Sequence, residues 1–212
     1  MSCPQCEGIE MIFDEQSVED ELRMYRGEGP DKTTLWLIEA LQARGVEGLD
    51  LLDIGGGLGG IQHALLESGA SHATHVDASS AYIDAAQREA KRRGLADKIE
   101  WRHGDFVDIA PKLAAAEIVT LDRVICCYHD MPALVSASTA LSKRYYGIVL
   151  PIDNWLTRTG AALGNLFQRI MRHPYRLFVH PNGQLEALVA SAGFTKVMER
   201  STFWWRVALY AR

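Results

Sequence analysis

The stretch LLDIGGGLGG, residues 51–60, constrains this chain more than any other feature. A short apolar run, Leu49–Ile54, reads as a buried strand and meets a cluster of glycines, after which Leu58–Ser68 reads as a helix closed by Gly69. Glycine reaches left-handed dihedrals at little cost and lets the backbone approach a ligand closely. A helix that starts at such a turn offers free N–H groups to an anionic ligand group. Two patterns fit the same letters. Gly55, Gly57 and Gly60 satisfy the dinucleotide pattern G-x-G-x-x-G, whereas Asp53, Gly55, Gly57 and Gly59 satisfy D-x-G-x-G-x-G. The glycines alone leave both open.

The rest of the chain alternates strands and helices. Helices are predicted over Asp31–Arg44, Ser80–Arg93 and Pro132–Ser142, and strands over Ala73–Val76, Ile99–Arg102, Ile118–Cys127 and Tyr146–Leu150. Glycines at 45, 69, 94 and 193 sit where helix C-caps need a left-handed residue. Such alternation implies right-handed crossovers and a parallel sheet with helices on both faces. After a helix at Gln184–Ala192, two strand-like runs, Thr195–Glu199 and Phe203–Tyr210, lie too close together for a crossover. They should pair antiparallel. The expected fold is α/β and Rossmann-like, a seven-stranded, mostly parallel sheet with an antiparallel last strand. With 212 residues the chain suffices for one such domain. It divides into an N-terminal extension and lid (1–30) and a domain (31–212) with a helical insertion at about 152–181.

The neighbours of the turn discriminate between ligands. Asp53 would repel a pyrophosphate but suits a cationic amino group. Asp77 ends the second strand, where a carboxylate can accept from both ribose hydroxyls; it supports a ribose without choosing the cofactor. Gly104-Asp105-Phe106 follows the third strand. Together with Asp53, Gly55, Gly56, Gly57, Gly59 and Ala78, these residues resemble class I S-adenosylmethionine-dependent methyltransferases. The resemblance implies a ribose contact at Asp77, an adenine segment at Asp105 and Phe106, and S-adenosyl-L-methionine as cofactor. No tyrosine has lysine four residues on, the signature of single-domain dehydrogenases. The Tyr25 region, VDASSAYIDAAQREA and VTLDRVICCY extend the likeness to magnesium-protoporphyrin O-methyltransferases of chlorophyll biosynthesis, which implies esterification of a porphyrin propionate.

Other residues carry candidate roles. Asp122 and Arg123 are charges inside an apolar run, where burial without a partner is expensive; Asp122 is a candidate cofactor contact, a buried ion pair the competing reading. His129 is the candidate general base, because its ordinary pKa lies near neutrality. Asp130, before Met131-Pro132, reads as a helix N-cap. Tyr25 and Arg26 could fold over the cofactor and contact its carboxylate. The insertion contains an amphipathic helix, about Leu156–Arg172, expected to pack its apolar side on the domain and cover the substrate in part. An apolar face with a basic rim also suits a membrane surface. Cys3 and Cys6 have the spacing of half a zinc site, but a lone C-x-x-C is weak; no metal is expected, and disordered terminal thiols are the expectation for that pair. For Cys126 and Cys127 a buried apolar role is expected.

Net charge is −5, from 27 acids against 22 lysines and arginines. That disfavours nucleic acid as a partner. No apolar run is long enough to span a bilayer, and MSCPQCEGIEMIF lacks the basic-then-apolar order of a secretory signal. The expectation is a cytoplasmic enzyme with reduced thiols, acting on a small-molecule acceptor without stable membrane insertion. The C-terminal aromatic strand could serve a homodimer interface. The competing functions are a Rossmann-type NAD-dependent oxidoreductase and a non-catalytic S-adenosylmethionine-binding protein.

Overall fold

The computed structural model describes residues 4–212. Its strands are β1 (Asp50–Ile54), β2 (His72–Asp77), β3 (Ile99–His103), β4 (Ala116–Asp122), β5 (Ser142–Pro151), β6 (Thr195–Ser201) and β7 (Trp205–Ala211). They form one seven-stranded sheet in the order β3-β2-β1-β4-β5-β7-β6. Strands β1 to β5 pair in parallel. Strand β7 is antiparallel to both β5 and β6, because residues 202–204 can close a hairpin but not a crossover.

Alternation along each strand sorts its side chains between two cores. On one side Leu51, Ala73, Ile118 and Val149 pack beneath α3 (Lys32–Gln42), α4 (Gly60–Glu67) and α5 (Ser80–Arg93). On the other Leu52, Ile54, Leu121 and Ile148 pack beneath α6 (Phe106–Ile109), α7 (Met131–Ala140) and α9 (Asn182–Ser191). Leu51, Leu52 and Leu121 are buried completely or nearly so; each such side chain contributes about 1.5–3 kcal/mol of transfer free energy.

Two further helices precede this unit, α1 (Pro4–Ile12) and α2 (Glu15–Glu28). Val18, Leu22 and Tyr25 of α2 pack on Leu58, Tyr82 and Ala85 in a third, smaller cluster. The extension therefore docks on the starts of α4 and α5, above the carboxyl end of the sheet. Helix α8 (Trp155–Ile170) lies between β5 and α9.

The structure corrects several boundaries. Strand β4 does not run to Cys127; it ends at Asp122, where Arg123 adopts a left-handed φ of 60°, and residues 125–127 form a single 3-10 turn. Strand β5 starts at Ser142 rather than Tyr146; Lys143 and Arg144 project from its exposed beginning, where the register against β4 shifts between Ser142 and Tyr145. Helix α4 begins at Gly60, not Leu58, because Gly59 is left-handed with φ of 82°. The apolar side of α8 does not pack on the domain: of its residues only Thr157 and Ala161 are buried.

Candidate functional site

The turn after β1 is held by its neighbours. Gly55 donates its N–H to the Val76 carbonyl at 2.7 Å. Gly55 and Gly57 have φ of 62° and 53°. A Cβ at Gly55 would come within 2.3 Å of Val124 Cγ2, and one at Gly56 within 2.5 Å of the His75 ring. Gly56 is thus required by the buried imidazole behind it, not by its own dihedrals. His75 is held neutral by burial, its pKa lowered to about 3.

Four strands in succession deliver an aspartate to this turn. Asp53, at the end of β1, accepts from the Thr120 hydroxyl at 2.7 Å. Burial first, then repulsion from Asp122 and Asp77, raises its pKa to about 7. Asp77, ending β2, accepts from Gly57 N at 2.9 Å and from Ser79 N at 2.8 Å. Burial outweighs those bonds and lifts it to about 6. Asp105, after β3, caps α6 through Val107 N at 2.9 Å and accepts from the Tyr128 hydroxyl at 3.0 Å. Asp122, ending β4, accepts from the Thr34 hydroxyl and pairs with Arg123 Nε at 3.0 Å. Asp122 and Arg123 thus form an ion pair that is half-buried rather than buried, with Asp31 as a further partner of Arg123.

All four aspartates line one cavity of about 670 Å³, with Gly55, Gly56, Gly57, Ala78 and Phe106. Its roof is formed by α1, α2 and the link between them, through Ile9, Phe13, Glu21 and Tyr25. Glu21 bonds the Tyr82 hydroxyl at 2.6 Å and so ties the roof to α5. Among the described lining residues Arg123 is the sole lysine, arginine or histidine, and it is already paired.

Three sequence-derived candidates fall outside this cavity. Gly59 caps α4 while Gly60 takes its place in the lining. Arg26 faces α5, where its Nε bonds Glu89 at 2.9 Å; that buried carboxylate already gathers Arg92 and Arg93. His129 is exposed on the far side of Tyr128, ring centroids 5.2 Å apart. Helix α8 contributes no lining residue either. The returning segment does brace the wall: Phe178 N donates to the Cys126 carbonyl at 2.7 Å, and a His180 ring nitrogen lies 2.8 Å from the Tyr128 carbonyl oxygen. Tyr82, Tyr128 and Glu21 are site residues that sequence reasoning missed as such. Tyr82 sits five residues after Asp77 on the first turns of α5, a usable signal; Glu21 has none, because its partner is 61 residues away.

The cysteines are placed differently from expectation. Cys6 is ordered in α1, its sulfur 3.9 Å from Asp105 Oδ2, while Cys3 lies outside the described residues. Cys126 is buried as expected, whereas Cys127 reaches the cavity wall. Among the described residues no three potential ligands cluster as a metal site.

A glycine turn faced by four aspartates and backed by almost no free cation fits a ligand that is itself cationic and carries a diol. Residues 51–144 match the sequence family described as "Methyltransferase domain". Those residues, under half of the chain, are a methyltransferase domain of the class built on such a Rossmann-like sheet. S-adenosylmethionine is the cofactor of that class. A search of curated proteins gives no match. The chain is similar to magnesium protoporphyrin IX methyltransferase of Synechocystis PCC 6803, solved with bound S-adenosylhomocysteine. The TM-score is 0.74 at 17% identity, over 96% of this chain and 98% of the other. It also resembles an O-methyltransferase family protein of Burkholderia thailandensis, with TM-score 0.69 at 18% identity over 95% of this chain and 61% of the other. At such identities the likeness establishes the Rossmann-like fold with its antiparallel ending.

Proposed function

We propose that this methyltransferase transfers a methyl group to a small-molecule acceptor, and that the acceptor atom is a carboxylate oxygen such as that of a porphyrin propionate. The observation that carries the cofactor assignment is the convergence of Asp53, Asp77, Asp105 and Asp122 on one cavity whose sole guanidinium among the described lining residues is already paired. A dinucleotide brings a pyrophosphate, which such a surface repels, although Gly60 in the lining and Asp77 would serve either cofactor.

When bound, S-adenosylmethionine supplies a methyl group activated by a sulfonium. The chain's own residues bind and orient. Asp77, pinned by two backbone N–H groups, has lone pairs left for the ribose hydroxyls. Asp105 and Phe106 offer an acceptor and an apolar wall for the adenine. Asp53 and Asp122 favour positive charge near the turn, and Tyr25 closes the roof. Alignment and water exclusion supply much of the rate in such a displacement. A carboxylate acceptor is already ionised and needs no base, in keeping with the absence of histidine from the described lining and the position of His129 outside it. The porphyrin assignment is supported by a likeness that extends over 96% of this chain and 98% of the other.

Differential scanning fluorimetry tests the cofactor. S-adenosylhomocysteine at about a hundred times its Kd should add ~2.7 kcal/mol of stability, and NAD should add none; the reverse result sinks the reading. Radiolabelled methyl transfer to magnesium protoporphyrin tests the acceptor. Binding of the cofactor with no transfer to porphyrins or other carboxylates would favour a non-catalytic binder.

A further inference from the structure

Helix α8 is inverted relative to a helix that packs on a globular domain. The side turned to the protein carries Thr157 and Ala161, with Asn165 and Gln168 half-buried. Asn165 clasps the returning chain, donating to the Leu177 carbonyl at 2.7 Å and accepting from Leu177 N at 2.8 Å. The opposite side carries Trp155, Leu163, Leu166, Phe167, Ile170 and Met171, all between 54% and 76% exposed. The spacing 163, 166, 167, 170 is the apolar stripe that ordinarily faces a core. Contiguous apolar surface of this kind on a soluble protein marks a contact site.

Charge narrows the partner. Residues 154–185 hold four arginines and no carboxylate, in a chain of net charge −5. Arg158 is paired with Asp153 at 2.5 Å, whereas Arg169 and Arg172 have no acidic partner among the described residues. Phe203 and Trp204, 66% and 48% exposed, extend the patch. They sit in the β6–β7 turn, whose Trp204 carbonyl accepts from Ile152 N at 2.9 Å just before α8 begins.

We propose that α8 and the 203–204 turn form a peripheral docking surface for an anionic lipid bilayer. The helix lies in the headgroup plane, with its apolar stripe toward the acyl chains and its arginines against lipid phosphates. At 16 residues it lies on the bilayer and does not cross it. Exposed tryptophans suit that boundary, apolar in body and polar at one end. A second copy of this chain fits less well: an isologous contact sets the same patch against itself, and residues 154–185 contain no acid to meet the partner's arginines. The acidic remainder of the molecule would be repelled by the bilayer, which fixes the orientation. No α8 residue lines the cavity, so docking leaves the site open, and the proposal stands whatever the acceptor is.

Vesicle co-sedimentation of the full chain tests this. The protein should pellet with vesicles of equal parts phosphatidylglycerol and phosphatidylcholine, and much less with phosphatidylcholine alone. The double variant Leu166→Asp/Phe167→Asp should lower partitioning about tenfold or more, with an unchanged melting temperature, since both side chains are exposed. The pair Arg169→Glu/Arg172→Glu should abolish the preference for anionic lipid and its sensitivity to salt. Three results would overturn the proposal: wild-type protein left in the supernatant at low salt; pelleting that neither variant changes; or a dimer, seen by light scattering, that Leu166→Asp/Phe167→Asp splits while vesicles go unbound.

Discussion

Asp77 and Asp53 hold two opposed demands at the scale of single residues. Each must sit where water is scarce to direct a ligand, and scarcity of water favours the protonated form. Burial raises Asp53 to about 7 and Asp77 to about 6, against an ordinary 3.8. A raised acid pKa means that the folded state holds its proton more tightly than the unfolded chain. The stability it contributes is therefore full at low pH and is lost as pH climbs through these values. A cationic ligand needs the ionised form and pulls both pKa values down. Affinity for S-adenosylmethionine is accordingly expected to rise between about pH 5 and 8, with protons released on binding. Calorimetry in buffers of different ionisation enthalpy reads that release; a pH-independent affinity would refute the linkage. Asp77→Ala should weaken binding about tenfold or more through loss of the hydroxyl acceptor, and unchanged affinity in a folded variant would remove Asp77 from the site. His63 and His75 titrate in the other sense. Burial first, with nearby positive charge, lowers them to about 4 and about 3, so they lose stability as pH falls from 6.5 toward those values.

At the scale of elements, two junctions set the cavity's shape. The first is the packing of the glycine turn on its surroundings. Gly56→Ala drives a methyl into the His75 ring, and overpacking of this kind costs about 1–3 kcal/mol. Chemical denaturation should show that loss together with weakened cofactor binding. The second is the Glu89 cluster, which joins α2 to α5. Arg92, Arg93 and Arg26 hold the Glu89 carboxyl well below the usual range. Glu89→Ala leaves these guanidinium groups without their shared acceptor; solvent screens part of the loss, leaving about 2 kcal/mol. The melting temperature should fall and the roof should loosen, which hydrogen exchange in residues 15–28 would detect. Helix geometry accounts for the position of Arg26 outside the cavity lining. Its place near Tyr25 suggests a ligand, but a helix turns adjacent residues about 100° apart. Tyr25 meets the cavity and Arg26 meets α5. His129 fails for a similar reason: Asp130 caps α7 through Ala133 N, and that cap directs the preceding histidine outward.

At the scale of the whole molecule, the two main cores contain no residue from α1 or α2 among the described residues. The roof is an addition to a sheet that is packed without it. Deleting residues 1–28 is expected to leave the circular dichroism of the α/β unit largely intact while abolishing tight cofactor binding, because Tyr25, Phe13 and Glu21 leave the cavity wall. Collapse of the fold on deletion would show instead that the third cluster is structural.

What the sequence determined alone is whatever depends on short-range pattern. The glycine turn, the alternation of strand and helix, the caps at Asp130 and Gly94, and the short link between β6 and β7 all follow from dihedral preference, periodicity and chain length. The four aspartates were legible too: Asp53 and Asp77 as strand ends, Asp105 as the acid after a strand, and Asp122 as a charge inside an apolar run. Tertiary structure alone decided the rest. It made α1 and α2 a roof, gave Arg26 to Glu89, kept His129 outside and left the apolar stripe of α8 facing solvent. Amphipathic pattern says that a face wants a partner; only the available surfaces of the folded chain say whether it finds one. Here the inward side of α8 is the small, polar one that clasps residues 173–180, so its apolar side is left for something beyond the chain.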